Sequence, residues 1–408
     1  MTSAADAPPV PARTTGPTPT ADRAPAPDLA RGMMLLLIAL AHAPWFLYTS
    51  HVGASPMHPA DGSVTDRLAQ LLTITVVDAR THTMFGLLFA YGIGQMLARQ
   101  STRGVPESEA RRLLRRRHLW MLALGLVHAA LLWQGDIVGT YGLIGLLMLP
   151  LFLRRSDRTL AVSTLVLLGV CTTMMLLTAA ASGSTGADAA AGMQRLSLAE
   201  PSYLASVPIR LAQWGFGLVS GVVTLALPVA FLLGLLAARH RLLEEPEKHL
   251  RLLRWVAGLG IGLGWGVGLT QALVHLGVLT VPSTALLESA HFLTGIGAGA
   301  GYAALFGLLV HALRSREDGA GLRSRPVRAL SALGRRSLSG YLAQSLVYGP
   351  LLAAWGLGLG AHLSSFTALL IAVAVWTTTL LGALALERSG RRGPAEVLLR
   401  RLTYGASG

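Results

Sequence analysis

Runs of roughly twenty apolar residues alternate along this chain with short segments crowded with arginine, and the apolar residues are continuous rather than spaced at amphipathic intervals. A hydrocarbon core about 30 Å thick takes roughly 20 helical residues to cross, so each run is a predicted span. Ten are found, over residues 29–48, 81–98, 118–134, 137–153, 159–181, 209–238, 255–279, 288–313, 338–357 and 364–386. Two of them, 209–238 and 288–313, are longer than a bilayer needs and contain Gly or Pro, which predicts tilt or a kink. Segments 50–66 and 182–208 have room for short surface helices, while "QGD" and "GLGAHL" are predicted tight turns between antiparallel spans. The prediction is an all-α, polytopic membrane bundle of about ten transmembrane helices with no sizeable soluble domain.

Residues 1–28, rich in Pro, Ala and Thr and without apolar periodicity, are expected to form a disordered cytoplasmic tail. The first apolar run starts late and lacks the usual basic leader, so it is expected to remain as a signal anchor.

Composition agrees with a membrane protein, at 52% hydrophobic and only 13% charged residues. A net charge of +14 would suggest a nucleic-acid partner in a soluble protein, but the positions of the charges argue otherwise. Of 34 Lys and Arg, 27 fall in segments 99–117, 154–158, 239–254, 314–336 and 388–401, which are every second loop and the C-terminal tail. Such bias marks the cytoplasmic side and predicts that both termini lie there. The expected partner is the lipid bilayer, and nucleic acid is excluded.

The one cysteine, Cys171, lies inside a span, which excludes an intramolecular disulfide and a cysteine-based metal cluster. Histidines within the spans lack the i, i+4 pair of a zinc helix, so no metal is expected. Ser339 and Ser345 sit outside any G-x-S-x-G elbow, against covalent serine catalysis. "GLGIGLGWGVGL", 258–269, lies within a span and follows no strand, so it is assigned to close helix packing rather than phosphate binding.

With the orientation set by the arginines, the ionisable residues in the spans all take depths in the outer half. His42 lies past the midplane of the first span, Asp78, Arg80 and His82 at the mouth of the second, His128 in the third with Asp136 in the turn after it, and Glu288 and His291 in the eighth. Ionisable groups at such depth are costly and usually face a cavity or a partner, so an outward-open polar cavity is expected. Asp78 and His82, four apart, would share a helical face, the carboxylate orienting the imidazole as a general base requires. His42, Asp78, His82 and His128 are the candidate catalytic residues. Arg80, Asp136, Glu288, His291 and Gln344 are expected to line the same cavity.

Five stretches carry a family resemblance: "PDLARGMMLLLIALAHAPW" (27–45), "MFGLLFAYGIG" (84–94), "GDIVGTYGLIGLL" (135–147), "GRRSLSGYLAQSLV" (334–347) and "GPAEVLLRRLTYG" (393–405). In these the chain resembles the YeiB-like bacterial membrane proteins, whose C-terminal half is known as a domain of unknown function. The resemblance implies two transmembrane parts after the tail, 29–230 and 231–408, and a multi-pass place in the bacterial cytoplasmic (inner) membrane.

In its D-x-x-R-G entry, matched by Asp28, Arg31 and Gly32, and in its helix pattern, that family is similar to transmembrane acyltransferases. These carry an acyl group from coenzyme A onto an acceptor. His42 stands where YeiB-like sequences often carry asparagine. The resemblance implies acyl-CoA as donor and an envelope or small-molecule hydroxyl as acceptor. Because the donor is a cytoplasmic polyanion and the inner face is dense in arginine, Arg31, Arg116, Arg117, Arg335 and Arg336 are the residues expected to hold it. The alternative is a proton-coupled small-molecule transporter or exporter using the same polar groups as a relay. Transport would be favoured by internal repeats, and the arginine-rich loops are not spaced as two equivalent halves.

Overall fold

The computed structural model describes residues 24–181, 186–315 and 317–405. Residues 1–23 of the expected tail lie outside these. Apart from one isolated β-bridge between Val52 and Pro59, the described secondary structure is helical. Helix α1 (Pro25–His42) begins inside the segment assigned to the tail, because Pro25 at its first position needs no N–H partner there and Asp28 complements the helix dipole.

An outer loop leads to a short amphipathic helix, α2 (Val64–Leu72), opened by a capping box between Ser63 and Asp66. A π-turn at Thr73–Val77 then delivers the chain to α3 (Thr81–Thr102). There follow α4 (Glu107–Leu131), α5 (Ile137–Phe152), α6 (Asp157–Ala181), α7 (Gly186–Ala199), α8 (Tyr203–Val223) and α9 (Ala226–Arg239). The remainder is α10 (Leu250–His275), α11 (Thr284–Arg314), α12 (Arg325–Arg335), α13 (Ser337–Leu352), α14 (Ser365–Arg388) and α15 (Pro394–Tyr404).

Each of the ten apolar runs is helical. Among the described residues, however, five helices are long and apolar enough to cross a membrane: α1 with its following turn, α6, α10 with its leading turn, α11 and α14. A sixth is available if α8 and α9, which meet at 58°, count as one broken span. The other four expected spans fall short for visible reasons: α5 and α13 have 16 residues each, α4 opens with a cluster of arginines, and the 22 residues of α3 are diluted by polar ones at both ends, Thr81, His82 and Thr83 at one and Gln95, Arg99 and Gln100 at the other.

The kink predicted in 209–238 is a full break. Pro228 has no N–H and its ring collides with the carbonyl four residues back, at Thr224, where α8 ends. Leu225 takes a left-handed conformation, φ 62°, to turn the chain. By contrast α11 runs as one helix for 31 residues.

Burial separates centre from rim. The apolar windows of α1 and α11 are 56% buried, whereas those of α6, α10 and α14 are only 17%, 22% and 22% buried, which makes the latter three the outer wall. The main core joins Leu29, Met34 and Leu35 of α1 to Met84, Leu88 and Tyr91 of α3, Phe231 of α9 and Tyr302 of α11.

Helix α10 carries glycine at every second position from 258 to 268, and a helix sorts these onto two opposite faces. Gly260, Gly264 and Gly268 face inward, where a side chain would strike the Gly297 carbonyl, Ala298 and the Arg80 guanidinium. Gly258, Gly262 and Gly266 face open space. A helical glycine costs about 1 kcal/mol relative to alanine. The inward set is explained by close packing on α11 and Arg80; within the chain the outward set is not.

The connections gather at two ends of the bundle. At one, Arg195 bonds the carbonyls of Ser50 and Met57, Tyr48 that of Gly358, and His275 that of Pro59. At the other, the arginine-rich loops interlock through Arg154 with Glu107, Arg239 with Asp157, and Arg335 and Arg336 with Glu387.

Candidate functional site

A cavity of about 600 Å³ opens at the arginine-rich end. Its wall is built where α1 meets α12 and α13. A side chain at Gly32 would strike the Leu330 carbonyl, and one at Gly334 the Asp28 carbonyl, so the two glycines let α1 and α12 touch backbone to backbone. That contact aims Arg31 across the cavity at α3, where it donates to the Leu88 carbonyl at 3.0 Å while lying 3.4 Å from the Asp28 carboxylate.

Next to this contact Arg335 and Arg336 both reach Glu387 of α14, at 2.6 and 2.7 Å, and Arg336 also donates to the Arg391 carbonyl at 2.6 Å. The Glu396 carboxylate of α15 caps the first turn of α13, accepting from the Leu338 and Ser339 amides at 2.8 and 3.1 Å and from the Ser339 hydroxyl at 2.5 Å. In return the Ser339 hydroxyl accepts from the Ala395 amide in the first turn of α15, 3.0 Å away. The "GRRS" and "GPAE" stretches therefore cap one another and close one side of the cavity.

The lining is strongly basic. Arg31, Arg99, Arg103, Arg117, Arg335, Arg336, Arg391, Arg392 and Arg400 stand against Asp28, Glu387 and Glu396. Deeper in, Met34, Phe85, Leu88, Phe89, Met121 and Val138 make an apolar neck that ends at Tyr141 and Tyr341. Such a funnel suits an amphiphilic anion: a polyanionic head in the mouth and an apolar or uncharged tail in the neck.

Beyond Tyr341 lies a second polar group. Its hydroxyl accepts from the Ile137 amide at 3.2 Å, and its ring lies 5.4 Å from the His128 ring and 6.4 Å from that of His42. His128 Nδ1 and Asp136 Oδ1 are 2.8 Å apart, with both side chains almost wholly buried. The other carboxylate oxygen accepts from the Gly139 amide at 2.6 Å and the Trp214 indole at 3.4 Å. A carboxylate so held requires the Nδ1–H tautomer of its partner and leaves His128 Nε2 as the basic nitrogen. That nitrogen is buried and has no partner among the described residues. His42 packs its ring on Trp133 at 5.5 Å.

The remaining polar residues form a separate group instead of joining a single outer cavity. Asp78 pairs with His58, at 2.7 Å, and not with His82. The helix that would have placed Asp78 and His82 on one face starts only at Thr81, after the π-turn and a left-handed Ala79, φ 61°. His82 stacks on Phe292 at 5.2 Å. His275 accepts from the Ser55 amide at 3.1 Å, and its other ring nitrogen lies 3.0 Å from the Pro59 carbonyl. Arg80, expected to line an open cavity, is fully buried. Its guanidinium bonds the carbonyls of Ile74, Asp78 and Gly264 and lies 3.3 Å from His291 Nε2. Together these contacts fasten the outer loop and the start of α3 onto α10 and α11.

Of the other expected site residues, Arg117, Arg335, Arg336 and Arg31 line the arginine-rich cavity, while Arg116 is exposed on the far side of α4 and does not. Glu288 is exposed on α11. Gln344 is buried and donates to the Leu35 carbonyl at 3.1 Å, a tie between α13 and α1. Sequence reasoning passed over His58, Tyr341, Glu387 and Glu396. Glu387 and Glu396 were open to notice as the carboxylates among the C-terminal arginines, whereas nothing local links His58 to Asp78.

Residues 237–406 match the family model described as "Protein of unknown function (DUF418)". Over nearly its whole length the chain is similar to two bacterial proteins named as uncharacterized. It is 29% identical to YxaH of Bacillus subtilis (strain 168) over 413 residues, covering 95% of this chain and 96% of the relative. It is 26% identical to YeiB of Escherichia coli (strain K12) over 403 residues, covering 93% and 96%. No solved structure matches.

Proposed function

We propose that this DUF418-family protein is a transmembrane acyltransferase: acyl-coenzyme A enters the arginine-lined cavity and its acyl group passes to a hydroxyl arriving from the other end of the bundle. The observation that carries this is the alignment of a basic mouth, an apolar neck and, past Tyr341, a carboxylate-held histidine with a free nitrogen. In this scheme the diphosphate-bearing head meets Arg31, Arg117, Arg335 and Arg336, and the thioester lies in the neck. His128 Nε2 takes the acceptor's proton as its oxygen attacks the thioester carbonyl. The C–O bond forms, the C–S bond breaks, and the proton passes to the departing thiolate. His42, beside the same tyrosine, orients the acceptor, and the Asp78–His58 pair holds the outer loop.

The accompanying topology is about ten spans in the bacterial cytoplasmic membrane, with both termini and the arginine-rich end in the cytoplasm. Residues 29–230 and 231–408 form two parts of one bundle. In a Cys171→Ala background, Asp61→Cys and Ser108→Cys should react with an impermeant thiol reagent from opposite sides.

Calorimetry of acetyl-coenzyme A with the protein in nanodiscs tests the donor site, with ATP and dephosphorylated coenzyme as charge controls. Saturable binding lost in Arg336→Gln is expected; absence of binding by any acyl-coenzyme A overturns the proposal. One observation favours transport instead, the 58° break between α8 and α9, since broken helices line many transport sites. Proton-dependent uptake into vesicles without acyl transfer would decide for it.

A further inference from the structure

We infer that the outward face of α10 binds one anionic phospholipid, its headgroup on Arg251 and Arg254 and an acyl chain along Gly258, Gly262 and Gly266. These residues fall at helical spacing on a single face. A shallow depression of about 590 Å³ lies over the upper part of it, lined by Arg251, Arg254, Trp255, Gly258 and Leu259. Below, Gly262 and Gly266 continue the groove with nothing packed against them. Trp255, Leu259 and Leu263, 59%, 55% and 62% exposed, form its apolar banks. Missing side chains along one line of a helix let an occupant lie close to the backbone, and the inward glycines of the same helix show what such close approach looks like when filled.

Charge selects the occupant. Arg251 and Arg254 are exposed, and among the described residues neither has an ion pair or side-chain hydrogen bond, unlike Arg239, Arg241 and Lys248 nearby. They stand in the first turns of α10, where the positive end of the helix dipole adds to their field, and Trp255 is the residue type favoured at the membrane interface. A phosphate with a negatively charged headgroup complements this end, and a hydrocarbon chain complements the rest. A second copy of the chain fits less well. Copies in one membrane share an orientation, so two such faces packed together would bring Arg251 and Arg254 against their own counterparts.

Native mass spectrometry of the full chain, titrated with phosphatidylglycerol or phosphatidylcholine of matched acyl chains, tests the inference. One phosphatidylglycerol per chain should be retained in preference to phosphatidylcholine. Arg251→Gln with Arg254→Gln should weaken retention roughly 30-fold, each basic residue near an anionic headgroup contributing about a fivefold factor. The double Lys variant should keep most of it. Gly258→Leu fills the groove at a position with free space around it, so it should fold normally and lose retention with both arginines intact. Equal retention of the two lipids, or retention unaffected by Gly258→Leu, overturns the inference. So does conversion of a dimer to monomer by Gly258→Leu with lipid retention unchanged, which would make the occupant a second copy.

Discussion

His128 and Asp136 hold one another at 2.8 Å across the turn between α4 and α5, in a space so tight that any side chain at Gly125 would strike the carboxylate. Two helices are thus locked around a single oriented imidazole.

If His128 is the proton acceptor, His128→Gln should lower acyl transfer by roughly 100- to 10,000-fold, while calorimetric binding of acetyl-coenzyme A stays unchanged. Asp136→Asn, which can still cap α5 but no longer fixes the tautomer, should fall in the same range. Full transfer by either variant would remove the pair from the chemistry.

Glu396 is expected to hold α15 over the cavity. Glu396→Gln loses the charge that draws three donors at the start of α13, a loss of about 1–2 kcal/mol. Faster hydrogen exchange over 394–404, with the rest of the bundle unaltered, is the expected readout. Ser339→Ala, which removes the reciprocal cap, should show the same pattern.

Asp66 gives a pH dependence with a defined sign. Its carboxyl lies outside the spans, where burial alone would raise its pKa. Hydrogen bonds from Ser364, Ser63 and the Phe366 amide outweigh this and lower it from 3.8 to about 2. A carboxylate whose folded value is depressed stabilises the fold above its unfolded value, and that contribution disappears as pH falls through the folded one. Unfolding midpoints in nanodiscs should therefore drop between pH 4 and 2 by an amount worth up to about 2 kcal/mol, and Asp66→Asn should flatten that part of the profile.

Arg80→Lys conserves charge but not reach. A single ammonium cannot span the carbonyls of Ile74 and Gly264 and the ring of His291 as a planar fork does. The variant should lose stability by about 1–3 kcal/mol, seen as a lowered melting temperature. An unchanged melting temperature would mean the guanidinium is not a structural tie.

The sequence alone determined where helices form, because a run of twenty apolar residues has one way to satisfy its backbone in lipid. It determined equally that arginine collects at one end of the bundle, since 27 of the 34 basic residues fall in alternate connections. Only the tertiary structure decided that α1 meets α12 backbone to backbone, at Gly32 and Gly334.

Tertiary structure also decided which polar residues meet. Depth along a span is a one-dimensional coordinate: it placed His42, Asp78, His82, His128 and His291 at one level without fixing the direction in which each helix face points. Rotation and a single irregular turn then sorted them. The π-turn and left-handed Ala79 carried Asp78 off the α3 axis to His58, and the turn after α4 brought Asp136 back onto His128. Spacing in sequence measures neither, because both depend on backbone irregularities whose stability comes from the helices packed around them.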